Sequence, residues 1–430
     1  MGGSIMQELR FQVEFLSDIV LLATSNTEGN IENLDFIPGS NFLGMVAKEY
    51  QKFLDSFAVF HSGAVRFGDA TLLHNAHATY KMPLSFFHEK LDDSKIFNHH
   101  LITDFKQFTQ LKQKRNGFIT ESLEEVSIKH NYTQKSAYDK KHRRSKDSSM
   151  YGYNAMPKGL IWQFIVKYDK SIDSADVQRI IDNLVGKKRL GKSKSSEYGQ
   201  VEISEVNNSV SRVKTSNSKE QTLLYVKSRL ALVDNEGSAT YDLRYLVDGL
   251  NEESIVWEKS QLRTSSYTPY NRSMQTKSYE RMVINSGSVI VLKNIDNDLI
   301  EKIKKGVGVY LSEGFGEILV NPSFLQNEVF SFKKEDKEKK EKKPLTITHD
   351  SVKFLQARQD SKEKQLDMAK RVEEFIHKHK SLYKNIKNSQ WGTIRSICTS
   401  LKQNFEDEIK EYIESGKVTW SEKQTSTLLD

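Results

Sequence analysis

Two stretches that read alike decide the fold. The first runs Gly159-Leu-Ile-Trp-Gln-Phe-Ile-Val-Lys167, then helical spacing over 174–185, then Arg189-Leu-Gly-Lys-Ser-Lys-Ser-Ser-Glu-Tyr-Gly199, then Gln200-Val-Glu-Ile203. The second runs Gly287-Ser-Val-Ile-Val-Leu-Lys293, then helical spacing over 297–305, then Gly306-Val-Gly-Val-Tyr-Leu-Ser-Glu-Gly-Phe-Gly316, then Glu317-Ile-Leu-Val320. Each predicts a strand, a short helix, a Gly-containing loop and a strand. Both loops close on an aromatic and a glycine, Tyr198-Gly199 and Phe315-Gly316, with Ser-Glu just upstream at 196–197 and 312–313. A degenerate internal repeat is architectural evidence. It predicts an α+β fold of two ferredoxin-like (RRM-like) halves with Gly-rich loops.

The flanking sequence fills in the halves. The alternating Val, Ile, Leu and Phe of 9–24 predict a strand. Phe36-Ile-Pro-Gly-Ser40 follows, and Ser40 is expected to cap a helix over 41–57. A second strand is predicted over 65–73, followed by Met82-Pro-Leu-Ser-Phe-Phe87. Residues 90–158 show little periodicity. Their polar, basic part at 129–149 is expected to be loop or hairpin, mobile in the free protein, because it has too few apolar residues to fix itself by burial. A strand over 221–232 opens the second half. The run 333–343 holds seven Lys and four acids and reads as a charged linker, punctuated by Pro344. Residues 350–415 read as helical, with Trp391 and Ile394 near the middle. The expected organisation is therefore a first half at 7–210 with a basic insertion at about 100–158, a second half at 211–332, a linker at 333–349 and a C-terminal α-helical appendage at 350–430.

At 430 residues the chain exceeds one ordinary core, and 37% hydrophobic with 28% charged residues fits a folded globular protein. No apolar run reaches the length of a membrane span. Met-Gly-Gly-Ser-Ile-Met6 lacks the regions of a signal peptide and reads as an added leader before a native Met6. The single cysteine, Cys398, excludes an intrachain disulfide framework and a cysteine-based zinc site, and a reducing cytoplasm is the simplest compartment. Lys plus Arg number 64 against 57 Asp plus Glu. The excess is modest but clustered. Lys140, Lys141, Arg143, Arg144 and Lys146 form one group, and Lys187, Lys188, Arg189, Lys192 and Lys194 form another. Such patches suit a polyanion; the alternative is a solvated surface.

The first Gly loop adds the hydroxyls of Ser193, Ser195 and Ser196 to those cations, and glycines let backbone amides approach phosphates. Neither loop has nucleotide-binding P-loop or dinucleotide spacing. The plainer reading is a tight turn. Arg263-Thr-Ser-Ser-Tyr-Thr-Pro-Tyr-Asn-Arg272 interleaves Ser265, Ser266, Tyr267, Tyr270 and Asn271 between two arginines, a mix that suits single-stranded RNA or an ordinary polar loop. Eleven His are present, none in a metal-specifying spacing, and no nucleophile elbow occurs. No metal or cofactor is expected.

These residues resemble the RAMP proteins of type III CRISPR effector complexes, above all the type III-D subunit that takes the place of the fifth Cas group at the crRNA 5′ end. Phe36-Ile-Pro-Gly-Ser40 resembles the family's first Gly loop. Val65-Arg-Phe-Gly-Asp-Ala70 and Met82-Pro-Leu-Ser85 are similar to its next strand and loop. Leu190-Gly-Lys-Ser-Lys-Ser-Ser-Glu-Tyr-Gly199 resembles its most distinctive loop, and Ser389-Gln-Trp-Gly392 a segment of its helical C-terminus. The resemblance implies a crRNA-binding structural subunit without its own nuclease, capping the repeat-derived 5′ tag. Its implied partners are a large polymerase-like subunit, RAMP backbone subunits and, indirectly, target RNA, in a prokaryotic cytoplasm with no membrane. It adds Gly39, Ser40, Asn41, Gly314, Phe315, Gly316 and Tyr198 to the RNA-binding expectation. A metal-independent crRNA-processing endoribonuclease of the same fold and a general single-strand RNA binder are the other readings.

Overall fold

The computed structural model describes residues 6–23, 33–194, 196–207, 213–215, 221–271, 274–333, 350–399, 405–415 and 420–429. They form a mixed α and β protein with several antiparallel sheets and a C-terminal helical region. The chain divides into two units, 1–105 with 111–338 and 106–110 with 339–430. The two expected halves thus lie inside one unit.

The largest sheet is built on alternation. Gln7–Phe15 sits between Gln200–Glu205 and Ile161–Tyr168, antiparallel to both. Gly186–Arg189 extends one side and Val65–Phe67 pairs with Ile161–Tyr168 on the other. Phe11, Val13, Phe15, Trp162, Phe164, Val166, Val201 and Ile203 are all buried on one face. They pack against Phe42, Met45 and Val46 of the helix Gly39–Val46 and against Ile180 and Leu184 of the helix Ser174–Leu184. Phe42 stacks on Phe164 with centroids 3.6 Å apart. Side chains one residue out of phase, Glu8, Arg10, Gln163, Ile165 and Lys167, line a cleft on the other side.

A second sheet places Gln221–Val226 between Val289–Lys293 and Ile318–Val320. Its strands are near-continuous apolar runs because both faces are covered. Leu224, Val226, Ile290 and Leu292 meet Ile303 of the helix Asn297–Lys304 and Leu243, Leu246 and Leu250. Leu223, Tyr225, Val289 and Val291 meet Tyr80, Met82, Phe86 and Phe324.

Several sequence expectations change. The strand expected over 9–24 ends at Phe15, and the one over 65–73 splits into Val65–Phe67 and Thr71–His74. The helix expected over 41–57 breaks into Gly39–Val46, a 3₁₀ turn Ala47–Lys52 and Ser56–Phe60. The cause is tertiary: the Asp176 carboxylate accepts from the amides of Leu54 and Asp55 at 2.9 and 3.2 Å, pulling the chain out of helix. Ser40 does not cap. The helix starts at Gly39, whose N–H donates to Asp69 Oδ1 at 2.8 Å. The basic part at 129–149, expected as loop or hairpin, is the hairpin Asn131–Asp139 and Arg144–Ala155, and the rest of 90–158 holds further short strands. The linker expected at 333–349 lies outside the described residues beyond Lys333.

The helical unit holds Asp350–His379, Asn388–Thr399, Phe405–Ser415 and Glu422–Leu429. Tyr383, Ile386, Ile394, Ile409, Ile413 and Trp420 form its core. Gln424 satisfies it internally, donating to Leu382 O at 2.6 Å and Asn385 Oδ1 at 2.8 Å. Among the described residues, no helix is long and apolar enough to cross a membrane.

Candidate functional site

The first Gly loop joins the antiparallel strands Gly186–Arg189 and Gln200–Glu205. Only Lys192 and Lys194 of its five expected cations are therefore in the turn. Lys187 and Arg189 are exposed on one side of the edge strand, while Lys188 is half-buried and its pKa is lowered by burial and by Lys48. Arg189 donates to Lys194 O and braces the loop from beneath. Gly191 sits where a Cβ would lie 2.3 Å from Val20 O, so only glycine permits the approach. Lys192 N and Gly199 N then donate to Val20 O and Asp18 O at 2.9 and 3.0 Å.

The same segment anchors the basic hairpin. Asp18 accepts from Asn131 Nδ2 at 3.0 Å and from Lys158 N at 2.8 Å, and Ile19 exchanges backbone bonds with Met156. Ser193 Oγ donates to Tyr153 OH at 2.9 Å, and Tyr153 meets Tyr198 edge-on at 5.6 Å. Lys192 lies 5.9 Å over Tyr153 and Lys135 4.9 Å over Tyr198. Lys135 also pairs with Glu197, raising its own pKa and lowering the carboxyl's. Loop and hairpin thus form one surface of cations and tyrosines. Tyr132 and Tyr138 are exposed on it, as are Lys140, Lys141, Arg143 and Arg144 at the tip. The tip lies roughly 17 Å beyond Lys135 at ~3.3 Å per residue. Tyr198 is only 4% exposed and supports the surface from below. Ser195 lies outside the described residues; Ser196 is exposed and its N–H donates to Ser193 O.

The second Gly loop faces the cleft, a space of about 540 Å³ between the two sheets. It packs on segments that the sequence reading had singled out separately. A Cβ at Gly39 would lie 1.8 Å from Phe67 O, and one at Gly314 2.4 Å from the same oxygen. A Cβ at Gly316 would lie 2.0 Å from Val307 O. These glycines are close-packing positions. Asn41 Nδ2 returns to Pro38 O at 3.4 Å, and Ser40 is half-buried. Phe315 is 4% exposed. Arg229 lies 4.7 Å from its centroid, 5.2 Å from that of Phe36 and 5.0 Å from that of Tyr267.

Charges bind this cleft together. Glu317 bridges Lys167 of the large sheet and Lys227, the residue after the strand Gln221–Val226, at 2.8 and 2.9 Å. Burial would raise its pKa, but the two lysines outweigh that and hold it well below the usual carboxylate range. Asp69 goes the other way. Burial pushes it up to about 6, partly offset by Arg229 and by the Gly39 N–H. Arg66 reaches Lys305 O across the cleft.

The 263–272 stretch forms the strands Thr264–Tyr267 and Tyr270–Asn271. Arg263 bonds Gln113 at 3.4 Å, Ser265 bonds Asn285 and Ser266 bonds Glu280. Tyr267 belongs to the Arg229 cage, whereas Tyr270 is 56% exposed. Arg272 lies outside the described residues, and Asn271 is described by backbone alone. The sequence reading missed Arg229, Arg281 and Tyr310. Their only linear signal is charge and aromaticity near a Gly loop; the fold makes them neighbours. Of the histidines, His100 is buried, pushed down to about 4 by burial, and bonded to Leu325 O. Among the described residues, no cluster of three His, Cys, Asp or Glu could hold a metal.

No protein-family profile matches the chain, and no curated protein matches it. Solved structures do. A chain of the type III-B Cmr-beta complex bound to cognate target RNA is similar at 14% identity, over 72% of this chain and 96% of that one, with a TM-score of 0.41. A chain of the Csm3-Csm4 subcomplex of the type III-A CRISPR-Cas interference complex is similar at 9% identity, over 73% and 99%, with a TM-score of 0.35. A CRISPR-associated protein Cas6 is similar at 10% identity, over 73% and 99%, with a TM-score of 0.29.

Proposed function

We propose that the chain is an RNA-holding structural subunit of a type III CRISPR ribonucleoprotein, seated on the repeat-derived 5′ tag of the guide and joining a large subunit to a RAMP backbone. The observation that carries this reading is the joint surface of the first Gly loop and the basic hairpin. Both are fastened to the segment 18–20; both carry cations, and the hairpin adds the exposed rings of Tyr132 and Tyr138. Phosphates need fixed cations and unpaired bases need ring faces, and this surface offers both. We read the large sheet as one ferredoxin-like half, because its strands run in the order fourth, first, third, second with helices at the two crossovers. The second sheet keeps three strands of that pattern, and short 3₁₀ turns stand in for its first crossover helix.

The test is to sequence RNA that co-purifies with the protein. A fixed repeat-derived 5′ end is expected; random ends would leave a general single-strand binder. In parallel, the Lys192→Ala, Lys194→Ala double variant should lower the slope of log affinity against log salt by about 1.4, at ~0.7 per single-strand phosphate contact. An unchanged slope in a folded variant removes the loop from the interface.

One observation favours the endoribonuclease reading. His142 at the hairpin tip holds Asp139 at 2.7 Å between flanking cations, a pairing that can orient an imidazole for proton transfer. The pair also closes the turn, since Asp139 accepts from the amides of Lys141 and His142. We expect no cleavage of precursor or target RNA with or without magnesium. A discrete product lost in His142→Ala would promote the enzyme.

A further inference from the structure

The second Gly loop uses glycine at four left-handed positions, Gly306, Gly308, Gly314 and Gly316, yet keeps Tyr310 at φ 62°. A tyrosine there is strained where a glycine is not. The ring is held with care. Arg281 lies over it, 3.9 Å from the centroid, and Phe315 meets it edge-on at 5.7 Å. Arg281 is in turn fixed by two bonds to Glu313 at 2.8 and 2.7 Å, and its side chain is only 11% exposed. Burial works against its charge, but Glu313 more than restores it and raises the guanidinium's pKa.

Despite these contacts Tyr310 remains 39% exposed. A ring kept only to pack on Arg281 would gain most by being enclosed, as Phe315 is. Instead one face is backed by an immobilised cation and part of the residue is left exposed. Its sequence neighbour Leu311, with Lys304, Lys305, Gly306 and Arg66, lines the cleft. A flat, partly exposed ring backed by a fixed cation suits an unpaired base.

We infer that Tyr310, backed by Arg281, is a stacking platform for one unpaired nucleobase. The inference rests on the RNA-holding reading above and extends it to a second, separate part of the surface. Stacking is tolerant of base identity, so the platform fixes the register of the strand rather than reading its sequence.

The experiment uses the full chain and a short single-stranded oligoribonucleotide carrying 2-aminopurine at one position per strand, walked along the RNA. Wild type and Tyr310→Phe should quench the probe at one position and bind equally. Tyr310→Gly removes the ring and the backbone strain together, so it should fold. Its affinity should fall about tenfold and the position-specific quench should vanish. A folded Tyr310→Gly that binds and quenches like wild type overturns the platform. Failure of the wild type to bind RNA even at low salt would instead overturn the RNA-holding reading, and the platform with it.

Discussion

Asp69 and Glu317 line the same cleft, yet their ionisation acts on stability with opposite sign. Asp69 has a folded pKa of about 6, above its ordinary 3.8. Between those values the folded state holds the proton more tightly, so stability is lost as pH rises through that window. Asn at 69 keeps an oxygen for the Gly39 amide and carries no charge. Asp69→Asn should therefore be more stable than wild type by about 1 kcal/mol near neutral pH, solvent screening having reduced the full linkage value, and equal to it near pH ~4. Glu317 is depressed, so its contribution is present above its ordinary 4.5 and lost as pH falls. Its side chain is 29% exposed, so Glu317→Gln should cost about 2 kcal/mol near neutral pH, less than a fully enclosed pair would, with the gap closing in acid. Urea unfolding of both variants across the pH range checks the two signs. Matching pH dependence in the two variants would refute the assignment.

Regular elements were legible where local pattern and tertiary demand agree. Trp162, Phe164 and Val166 alternate, and they are the inward face of Ile161–Tyr168. The helix Ser174–Leu184 could be read from its spacing, and Asp173 caps it through the Ala175 amide. The break at 47–55 was not legible, because its cause is a carboxylate more than a hundred residues away. The cap on Gly39 was hidden for the same reason, being supplied by Asp69 rather than by the adjacent Ser40. Of the candidate site, the Gly loop cations were visible in the linear sequence, but their sharing between strand and turn depends on strand register. The hairpin follows similar logic. Its base is bonded to Asp18 and Ser193, while most residues toward Lys140 and Arg143 are exposed. Limited proteolysis of the free chain should cut at 140–144 before any core strand, and bound RNA should slow that cut. Equal rates in both states would mean that the tip lies off the RNA path.

The unit that holds the two sheets is interlocked rather than serial. Residues 77–120 belong to the first half by sequence, yet Tyr80, Met82 and Phe86 cover the second sheet. Tyr225 OH donates to Lys81 O at 2.6 Å, and Val329–Phe330 pairs back onto Asp92–Asn98. Cutting the chain at 210 would strip Leu223, Tyr225, Val289 and Val291 of the cover that Tyr80, Met82 and Phe86 supply. Separate expression of 1–210 and 211–333 should give aggregated or unfolded fragments by size exclusion and circular dichroism, and co-expression should restore a soluble pair. Two monodisperse fragments would contradict the interlock. The hairpin at 131–155 has the reverse character, being welded at one end only. A fluorophore or a short foreign peptide set into 140–143 would leave every core residue in place. That tip is a port at which a sensor can be inserted without disturbing the packed sheets, because its residues are exposed and it is bonded to the rest of the fold at its base alone among the described contacts.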